Sequence, residues 1–192
     1  LRMSRGLGDV YKRQFVYTNH PTAELFINGK SYGKQSKNNS SLKNRYRLMW
    51  MDAIYEPGEI KVVAYNKDGK AVAEKIVRTA GKPHHIELVS NRNELTADGK
   101  DLAYITVKVV DKDGNLCPAD SRQINFSVKG AGKYRAAANG DPTNLEQFHL
   151  PKMHTFNGML TAIVQSGETA GEIVLTAKAS GVKAGNIRIQ TK

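Results

Sequence analysis

Asp111, Asp113 and Asn115 place three oxygen-bearing side chains at alternate positions, a spacing that can bind calcium. Helix-flanked calcium loops carry oxygen ligands at their first, third and fifth positions, a glycine at the sixth and a bidentate glutamate at the twelfth. Counted from Asp111, the sixth position is Leu116 and the twelfth is Arg122. Because this ligand set is incomplete, we predict a turn in which Gly114 adopts positive φ, with no metal bound.

Catalytic arrangements are also missing from the sequence. Glu56 and Glu59 flank a Pro-Gly pair, whereas glycoside hydrolysis needs two carboxyl groups about 5 to 10 Å apart across a sugar. Cys117 is the only cysteine, the five histidines lack metal-ligand spacing, and neither a nucleophile elbow nor a phosphate loop occurs. We therefore expect no catalytic residue and no cofactor in this chain.

Three aromatic residues lie close together in sequence and could stack on a sugar. Tyr46 and Trp50 are four positions apart, so they would share one face of a strand, and Tyr55 follows nearby. The alternative is that Trp50 anchors the core of a small β-domain. The sequence leaves both interpretations open.

The segment "NGDPTNLEQF" concentrates polar and turn-forming residues, beginning with Asn139, Gly140 and Asp141. One interpretation is a long surface loop. The other is a loop that packs on a neighbouring domain or rims a binding cleft, because functional residues often lie on loops held by a rigid scaffold.

The elements that position these residues follow a period of two, typical of β-strands. Asn28-Gly29 predicts a tight hairpin, and residues 101–110 alternate between apolar and mostly polar positions. We predict an all-β chain of two consecutive β-sandwiches, covering residues 15–91 and 92–192, since no window shows the apolar stripe of an amphipathic helix.

The net charge is +11, from 29 basic and 18 acidic residues. Nucleic-acid-binding proteins concentrate such charge on one face, whereas here the only modest cluster is Lys43, Arg45 and Arg47. No apolar stretch approaches the ~20 residues of a membrane helix. We expect neither nucleic-acid binding nor a membrane span.

Residues 1–14 do not share the strand pattern of the rest of the chain. The piece Asp9-Val-Tyr-Lys-Arg-Gln14 back-translates to the transposon end used in preparing sequencing libraries. We therefore predict a non-native leader over 1–14, with a disordered native arm as the alternative. The chain is then expected to be a fragment, cut on its N-terminal side.

A family resemblance emerges from the order of several short pieces: "FINGKSYGK", "PGEIKVVAY", "ADGKDL", "NGDP" and "FNG". In this order they resemble the domains that follow the catalytic barrel in bacterial glycoside hydrolase family 2 enzymes of the β-galactosidase type. The resemblance covers residues 15–192. It implies that both domains are immunoglobulin-like sandwiches, residues 92–192 forming the C-terminal one.

The resemblance also implies where the chemistry of the parent enzyme lies. Its catalytic glutamates belong to a (β/α)₈ barrel that would precede residue 15, and no residue here matches them. The chain would then be the non-catalytic part of an enzyme that hydrolyses terminal β-galactosides. These domains would brace the barrel, their partner in the same polypeptide, with Asn139, Gly140 and Asp141 shaping the cleft. A periplasmic or secreted location follows from the same resemblance.

Two other functions remain open from the sequence. One is a carbohydrate-binding module that uses Trp50, Tyr46 and Tyr55. The other is a cell-surface adhesive array of immunoglobulin-like domains.

Overall fold

A computed structural model of the chain describes residues 2–3 and 13–192, and in this part of the chain it contains β-strands but no helix. The all-β class predicted from the alternating pattern is therefore confirmed, and no helix of the described residues could cross a membrane. The strands are β1 Arg2–Met3, β2 Gln14–Tyr17, β3 Thr22–Ile27, β4 Lys30–Ser36, β5 Leu48–Trp50, β6 Glu59–Tyr65, β7 Ala71–Arg78, β8 His85–Ser90, β9 Glu94–Leu95, β10 Leu102–Val110, β11 Gln123–Gly130, β12 Gly132–Ala138, β13 Lys152–His154, β14 Met159–Ser166, β15 Gly171–Lys178 and β16 Gly185–Thr191.

The first compact unit, Leu1–Thr79, holds two sheets, with strand orders β1-β2-β5 and β4-β3-β6-β7. Its core includes Val16, Leu25, Trp50 and Val62, all fully buried. Strand β3 alternates between buried and half-buried residues along its whole length, as a strand covered on one face does.

The predicted Asn-Gly hairpin joins β3 to β4. Asn28 and Gly29 both have positive φ, 48° and 80°, which is the conformation of a two-residue type I′ turn. Ile27 pairs directly with Lys30 across this turn. The hairpin prediction is therefore confirmed at the residues that the sequence indicated.

The second compact unit, Ala80–Lys192, is a sandwich of two sheets, with strand orders β12-β14-β10-β8 and β13-β11-β15-β16-β9. The predicted alternation of β10 is confirmed, because Ala103, Ile105, Val107 and Val109 are all fully buried. Burying each of the larger apolar side chains stabilises the fold by about 1.5 to 3 kcal/mol. The core of this unit therefore depends strongly on its central strand.

The first and last segments of this second unit lie next to each other. His85 forms a parallel bridge with Lys183, and β9 pairs in parallel with the end of β16. The backbone N–H of Ile86 donates to Lys183 over 3.0 Å, and that of Lys192 donates to Leu95 over 3.0 Å. The early segment of the unit is thus bonded to the chain just before β16, at Lys183, and to the end of β16.

The division between the units differs from the predicted boundary at residues 91 and 92. Strand β8, which the sequence pattern grouped with the first sandwich, pairs antiparallel with β10 and contributes Ile86 to the second core. The division lies between Thr79 and Ala80. Alternation identifies a strand of this kind, but it does not identify the sheet in which the strand pairs.

The predicted leader lies mostly outside the described residues, which omit residues 1 and 4–12. Its last residue, Gln14, is part of the fold, because it begins β2, pairs with Trp50 and is buried. Strand β1 pairs with Val16 and Tyr17 of β2. The packed structure therefore begins earlier than residue 15.

Candidate functional site

The segment Asp111–Asn115 is a turn closed by its own backbone. The Asp111 N–H donates to the Asn115 carbonyl over 2.9 Å, and Gly114 N–H donates to the Asp111 carbonyl over 3.2 Å. Gly114 has φ of 82°, as predicted. The interpretation of this segment as a turn that follows the long strand β10 is confirmed.

The Asp111 carboxylate is already saturated with hydrogen bonds, and its residue is only 2% exposed. It accepts from the backbone N–H groups of Gly81, Asp113 and Asn115 at 2.8 to 2.9 Å, and from the Asn115 amide at 3.1 Å. These donors, the Gly81 N–H foremost, hold the pKa of Asp111 well below its usual range. Its oxygens therefore accept hydrogen bonds that stabilise the turn instead of binding a cation.

The part of the chain that the structure describes offers no other candidate metal site. Among residues 13–192, no group of three or more His, Cys, Asp or Glu side chains could hold a metal ion. Cys117, close to the turn, is buried, and burial raises the pKa of its thiol, so it is a poor nucleophile.

Glu56 and Glu59, the two acids beside Pro57-Gly58, stabilise a turn. Glu59 pairs with Arg78 at 2.7 Å, and Glu56 accepts from the Asn28 amide at 3.3 Å. Asn28 also accepts from the Glu59 N–H at 2.8 Å. The two carboxylates are thus held by neighbours at an exposed turn.

The three aromatic residues proposed for sugar stacking do not form one surface. Trp50 is 1% exposed and donates from Nε1 to the Gly33 carbonyl over 3.0 Å, so its ring faces are covered by the core. Tyr46 precedes β5 and is 65% exposed, with the Arg45 guanidinium 5.9 Å from its ring centre. Tyr55 is separately exposed, near Thr79. Of the two interpretations of Trp50, the core anchor matches its burial.

Asn139, Gly140 and Asp141 begin an ordered loop that connects β12 to β13. The Asn139 amide donates to the His154 carbonyl and its oxygen accepts from the Asp141 N–H, both at 3.0 Å. Asp141 in turn accepts from the N–H and hydroxyl of Thr143 at 2.9 and 2.8 Å. These local side-chain hydrogen bonds take the place of the backbone hydrogen bonds between strands, and they hold the loop against β13.

The other half of the loop is tied to the sandwich by Tyr134 and Glu146. The Tyr134 hydroxyl donates to the Leu150 carbonyl over 2.7 Å, and the ring stacks on Phe126 at 5.7 Å. Burial raises the pKa of Tyr134 to about 12, so the hydroxyl remains a donor. Burial alone would raise the pKa of Glu146, but hydrogen bonds from the His154 N–H and ring at 3.0 and 2.9 Å lower it. No sequence pattern indicates these anchors, because the hydrogen bonds of Tyr134 to Leu150 and of Glu146 to His154 join residues that are not neighbours in the chain.

Two apolar side chains project from this fixed loop. Leu145 is 96% exposed and Phe148 is more than half exposed. Gly140, near the start of the loop, has φ of 77° and open space where a side chain would lie. Leu145 and Phe148 are the large apolar groups that the loop exposes to solvent.

Family models match both parts of the chain. Residues 86–188 match the model described as glycoside hydrolase family 2 C-terminal domain 5, and residues 12–73 match a domain of unknown function, DUF4982. Both matches lie within the compact units of the structure, and together they leave only short segments unmatched.

Curated relatives and solved structures agree with these matches. The chain is 39% identical to the β-galactosidase BoGH2A of Bacteroides ovatus over 92% of its length, but covers 20% of that protein. It is 28% identical to a β-glucuronidase of Formosa agariphila, of which it covers 17%. A family 2 glycosyl hydrolase of Bacteroides cellulosilyticus matches with a TM-score of 0.84 and 36% identity, covering 94% of this chain and 23% of that one. A β-glycosidase of Bacteroides vulgatus gives a TM-score of 0.86 at 29% identity, over 94% and 22% of the two chains.

Proposed function

This chain belongs to glycoside hydrolase family 2, and on that premise we propose that it is the C-terminal, non-catalytic part of a longer glycosidase, where it braces the catalytic barrel. One observation carries the proposal. The chain aligns over 92% of its own length with only 20% of the B. ovatus enzyme, so most of such an enzyme has no counterpart here.

The contacts of the acidic residues considered above support this role. Glu56 and Glu59 are engaged in a surface turn, and Asp111 is saturated by its own turn. A retaining glycosidase requires one free carboxylate as nucleophile and a second as acid, about 5 to 5.5 Å apart. We assign that pair to the barrel.

For the parent enzyme we propose hydrolysis of terminal β-galactosides. The most identical of the relatives above is named a β-galactosidase, whereas the relative named a β-glucuronidase is only 28% identical.

Within this role, the loop that starts at Asn139, Gly140 and Asp141 supplies a contact to the barrel, near its cleft. Its rigidity and the exposed Leu145 and Phe148 support this assignment, because a preorganised apolar projection loses little entropy on docking.

Comparing this chain with the full-length polypeptide of its reading frame tests the function. Hydrolysis of chromogenic β-galactosides and β-glucuronides should occur with the full-length protein, with preference for the galactoside, and be absent for the chain alone. Turnover by the chain alone contradicts the non-catalytic role, and a preference for the glucuronide contradicts the substrate.

A second experiment tests the loop contact. In the full-length protein, Leu145→Asp with Phe148→Asp should lower the melting temperature and the kcat/KM, while leaving the melting temperature of the chain alone unchanged. Val72→Asp, at another exposed apolar side chain, is the control. Equal effects of the loop variant and the control in the full-length protein contradict the contact.

A further inference from the structure

Two strands of the first unit are apolar on both of their sides. Strand β2 contains the run Phe15-Val-Tyr17, and β5 with the residue after it forms the run Leu48-Met-Trp-Met51. A strand with one side in water alternates apolar and polar residues, whereas a strand covered on both sides is a nearly continuous apolar run. These runs therefore indicate that the outer side of this sheet is covered too, in addition to the side that faces the core.

The pairing of β2 with β5 identifies the side chains on the outer side. Val16 pairs with Leu48, and both are buried in the core of the unit. Phe15 pairs with Met49 in the neighbouring row, so these two side chains point away from that core, because successive residues of a strand alternate between its sides. Each of them is half-buried. The outer row is therefore as apolar as the core row next to it.

The same outer side continues at the ends of both strands. Tyr17, two residues after Phe15, is 43% exposed, and Met51, which follows β5, is 49% exposed. The guanidinium carbon of Arg47 lies over the Phe15 ring, 5.2 Å from its centre. We call the surface formed by Phe15, Tyr17, Arg47, Met49 and Met51 the outer face of β2–β5.

Charged residues lie around the centre of this face. Arg47 belongs to the face, and the charged residues next to it in the chain are Arg13, before β2, and Asp52, after Met51. Both Arg13 and Asp52 are exposed, and Arg13 falls within the predicted non-native leader. The centre of the outer face is therefore apolar, and its margin is charged.

The other sheet of the same unit has a mixed outer side. In β6 the side chains that alternate with the fully buried Val62 and Ala64 are Glu59, Lys61, Val63 and Tyr65. The Tyr65 hydroxyl donates to the Glu24 carboxylate over 3.0 Å on this side of the sheet. Charged and polar groups thus alternate with apolar core residues there, as expected for a side in contact with water.

We propose that the outer face of β2–β5 is the surface on which the preceding catalytic part of the same polypeptide docks. This inference rests on the proposed function, because it requires that a barrel be joined to these domains. Residues 86–188 match a C-terminal domain of the family, and the chain covers only 20% of the B. ovatus enzyme, so the remainder of such an enzyme lies mostly before β2. Strand β2 is then the first strand after the predicted leader, and the outer face lies beside the point where the two parts join.

The chemistry of the outer face also favours this partner. Covering it removes apolar area from water, which contributes about 25 cal/mol per Å². The side chains of Met49 and Met51 are flexible and adapt to the shape of a facing surface. The guanidinium of Arg47 has five N–H donors, so we expect a carboxylate or carbonyl oxygen of the partner beside it. A sugar fits less well, because it would stack on the Phe15 ring where Arg47 already lies.

The area of the outer face favours a tethered partner over a second copy of the chain. With two strands ~4.8 Å apart and a rise of ~3.4 Å per residue, the face covers on the order of 200 Å². A stable complex between free proteins buries about 800 Å² on each partner. A covalently joined domain docks with less area, because the tether raises its effective concentration.

Hydroxyl-radical footprinting tests this docking without a substitution. Tyr17 and Tyr104 are a matched pair, 43% and 46% exposed, on the first and the second unit. Oxidation of Tyr17 should fall several-fold in the full-length polypeptide compared with the chain alone, whereas oxidation of Tyr104 should change much less. Equal oxidation of Tyr17 in the two proteins overturns the proposal.

The same measurement on the chain alone distinguishes other occupants of the face. Protection of Tyr17 that grows with the concentration of the chain assigns the outer face to a second copy. Protection of Tyr17 by an added galactan assigns it to carbohydrate. Either result overturns the proposal.

Matched double variants provide the second test. Tyr17→Glu with Met51→Glu places two negative charges on the outer face, and Val89→Glu with Tyr104→Glu places two at similarly exposed positions of the second unit. The first variant should lower the melting temperature of the full-length polypeptide beyond its effect on the chain alone, and the second should not. Equal additional effects of the two variants contradict the docking surface.

Hydrolysis assays on the same preparations separate this proposal from the proposed function. A full-length polypeptide without glycosidase activity contradicts the proposed function even where Tyr17 is protected. An active polypeptide with unprotected Tyr17 contradicts only the docking surface.

Discussion

The carboxylate of Asp111 accepts a 2.8 Å hydrogen bond from the backbone N–H of Gly81, thirty residues earlier in the chain. Gly81 leads into β8 and Asp111 directly follows β10, and these two strands pair with each other. One buried side chain therefore connects the entry to one strand with the exit from its neighbour.

Asp111→Ala should destabilise the second unit, because the donors of Gly81, Asp113 and Asn115 lose their acceptor together. The melting temperature of the chain should fall clearly. Asp113→Ala is the matched control, since Asp113 is exposed and contributes its backbone to the turn. Equal melting temperatures for the two variants would contradict the role of the carboxylate.

Lowering the pH should reduce the free energy of unfolding of the wild-type chain more than that of the Asp111→Ala variant. Because the folded pKa of Asp111 is depressed, the unfolded chain takes up a proton first as the pH falls below about 4. The stabilisation is present above that pH and is lost progressively toward the folded pKa. Urea unfolding from pH 6 to pH 2 measures this stabilisation. If the free energy of unfolding falls equally with pH in the two proteins, the carboxylate of Asp111 does not supply it.

Calcium should not stabilise the chain. The oxygens of Asp111 are occupied by hydrogen bonds, and the turn lacks the remaining ligands. Melting temperatures with millimolar calcium, with a chelator, and with sodium chloride at matched ionic strength should coincide. A rise specific to calcium would show that the turn rearranges to bind it.

Tyr134→Phe should loosen the loop that follows β12, at a cost of about 1 kcal/mol, because the Leu150 carbonyl keeps only the Lys152 N–H of its two donors. Tyr104→Phe, at a half-exposed ring, is the control. The contribution of the Tyr134 hydroxyl to stability is present below pH 10 and declines toward pH 12. The reason is that the pKa of Tyr134 is about 12 in the folded chain and about 10 in the unfolded chain. Hydrogen exchange of residues 145–150 measures the loosening. Unchanged exchange would show that other bonds hold the loop.

Trp50 should emit at short wavelength and resist quenching by iodide, because its ring is enclosed by the core. Trp50→Ala should cost about 3 to 5 kcal/mol of stability, as large core truncations do. Tyr46→Ala, at an exposed ring, should cost little. Titration with galactosides should leave the Trp50 emission unchanged; a saturable change would restore the sugar-binding interpretation.

Gly58→Ala should be more destabilising than Gly69→Ala. Gly58 has φ of 138°, and an added Cβ would lie 2.0 Å from the Asn28 side-chain oxygen. Gly69, with φ of 77°, has open space, so only the backbone strain of about 1 kcal/mol applies. The melting temperatures of the two variants give the comparison. Similar melting temperatures would show that the Asn28 side chain moves aside without loss of stability.

Local features of the fold were predictable from the sequence, because neighbouring residues determine them. The Asn28-Gly29 turn needs only two residues with positive φ, and the alternation of β10 reports that one of its faces is buried. The family could also be predicted, from the order of such turns.

Features that join distant residues were not predictable in the same way. The sheet in which β8 pairs depends on β10, and the anchoring of the loop depends on Tyr134 meeting Leu150. Tyr46 was expected to share a strand face with Trp50, but β5 begins only at Leu48. A sequence pattern cannot reveal where a short strand begins when its pairing partner sets that limit.

The parallel bonding of the early segment of the second unit along β16 has a mechanical consequence. A pulling force that separates the segment around Ile86 and Leu95 from Lys183 and β16 acts along the strands. It therefore loads the hydrogen bonds of Ile86 to Lys183 and of Lys192 to Leu95 in shear, so that they must break together instead of opening one by one. This arrangement resists extension of the second unit along its chain.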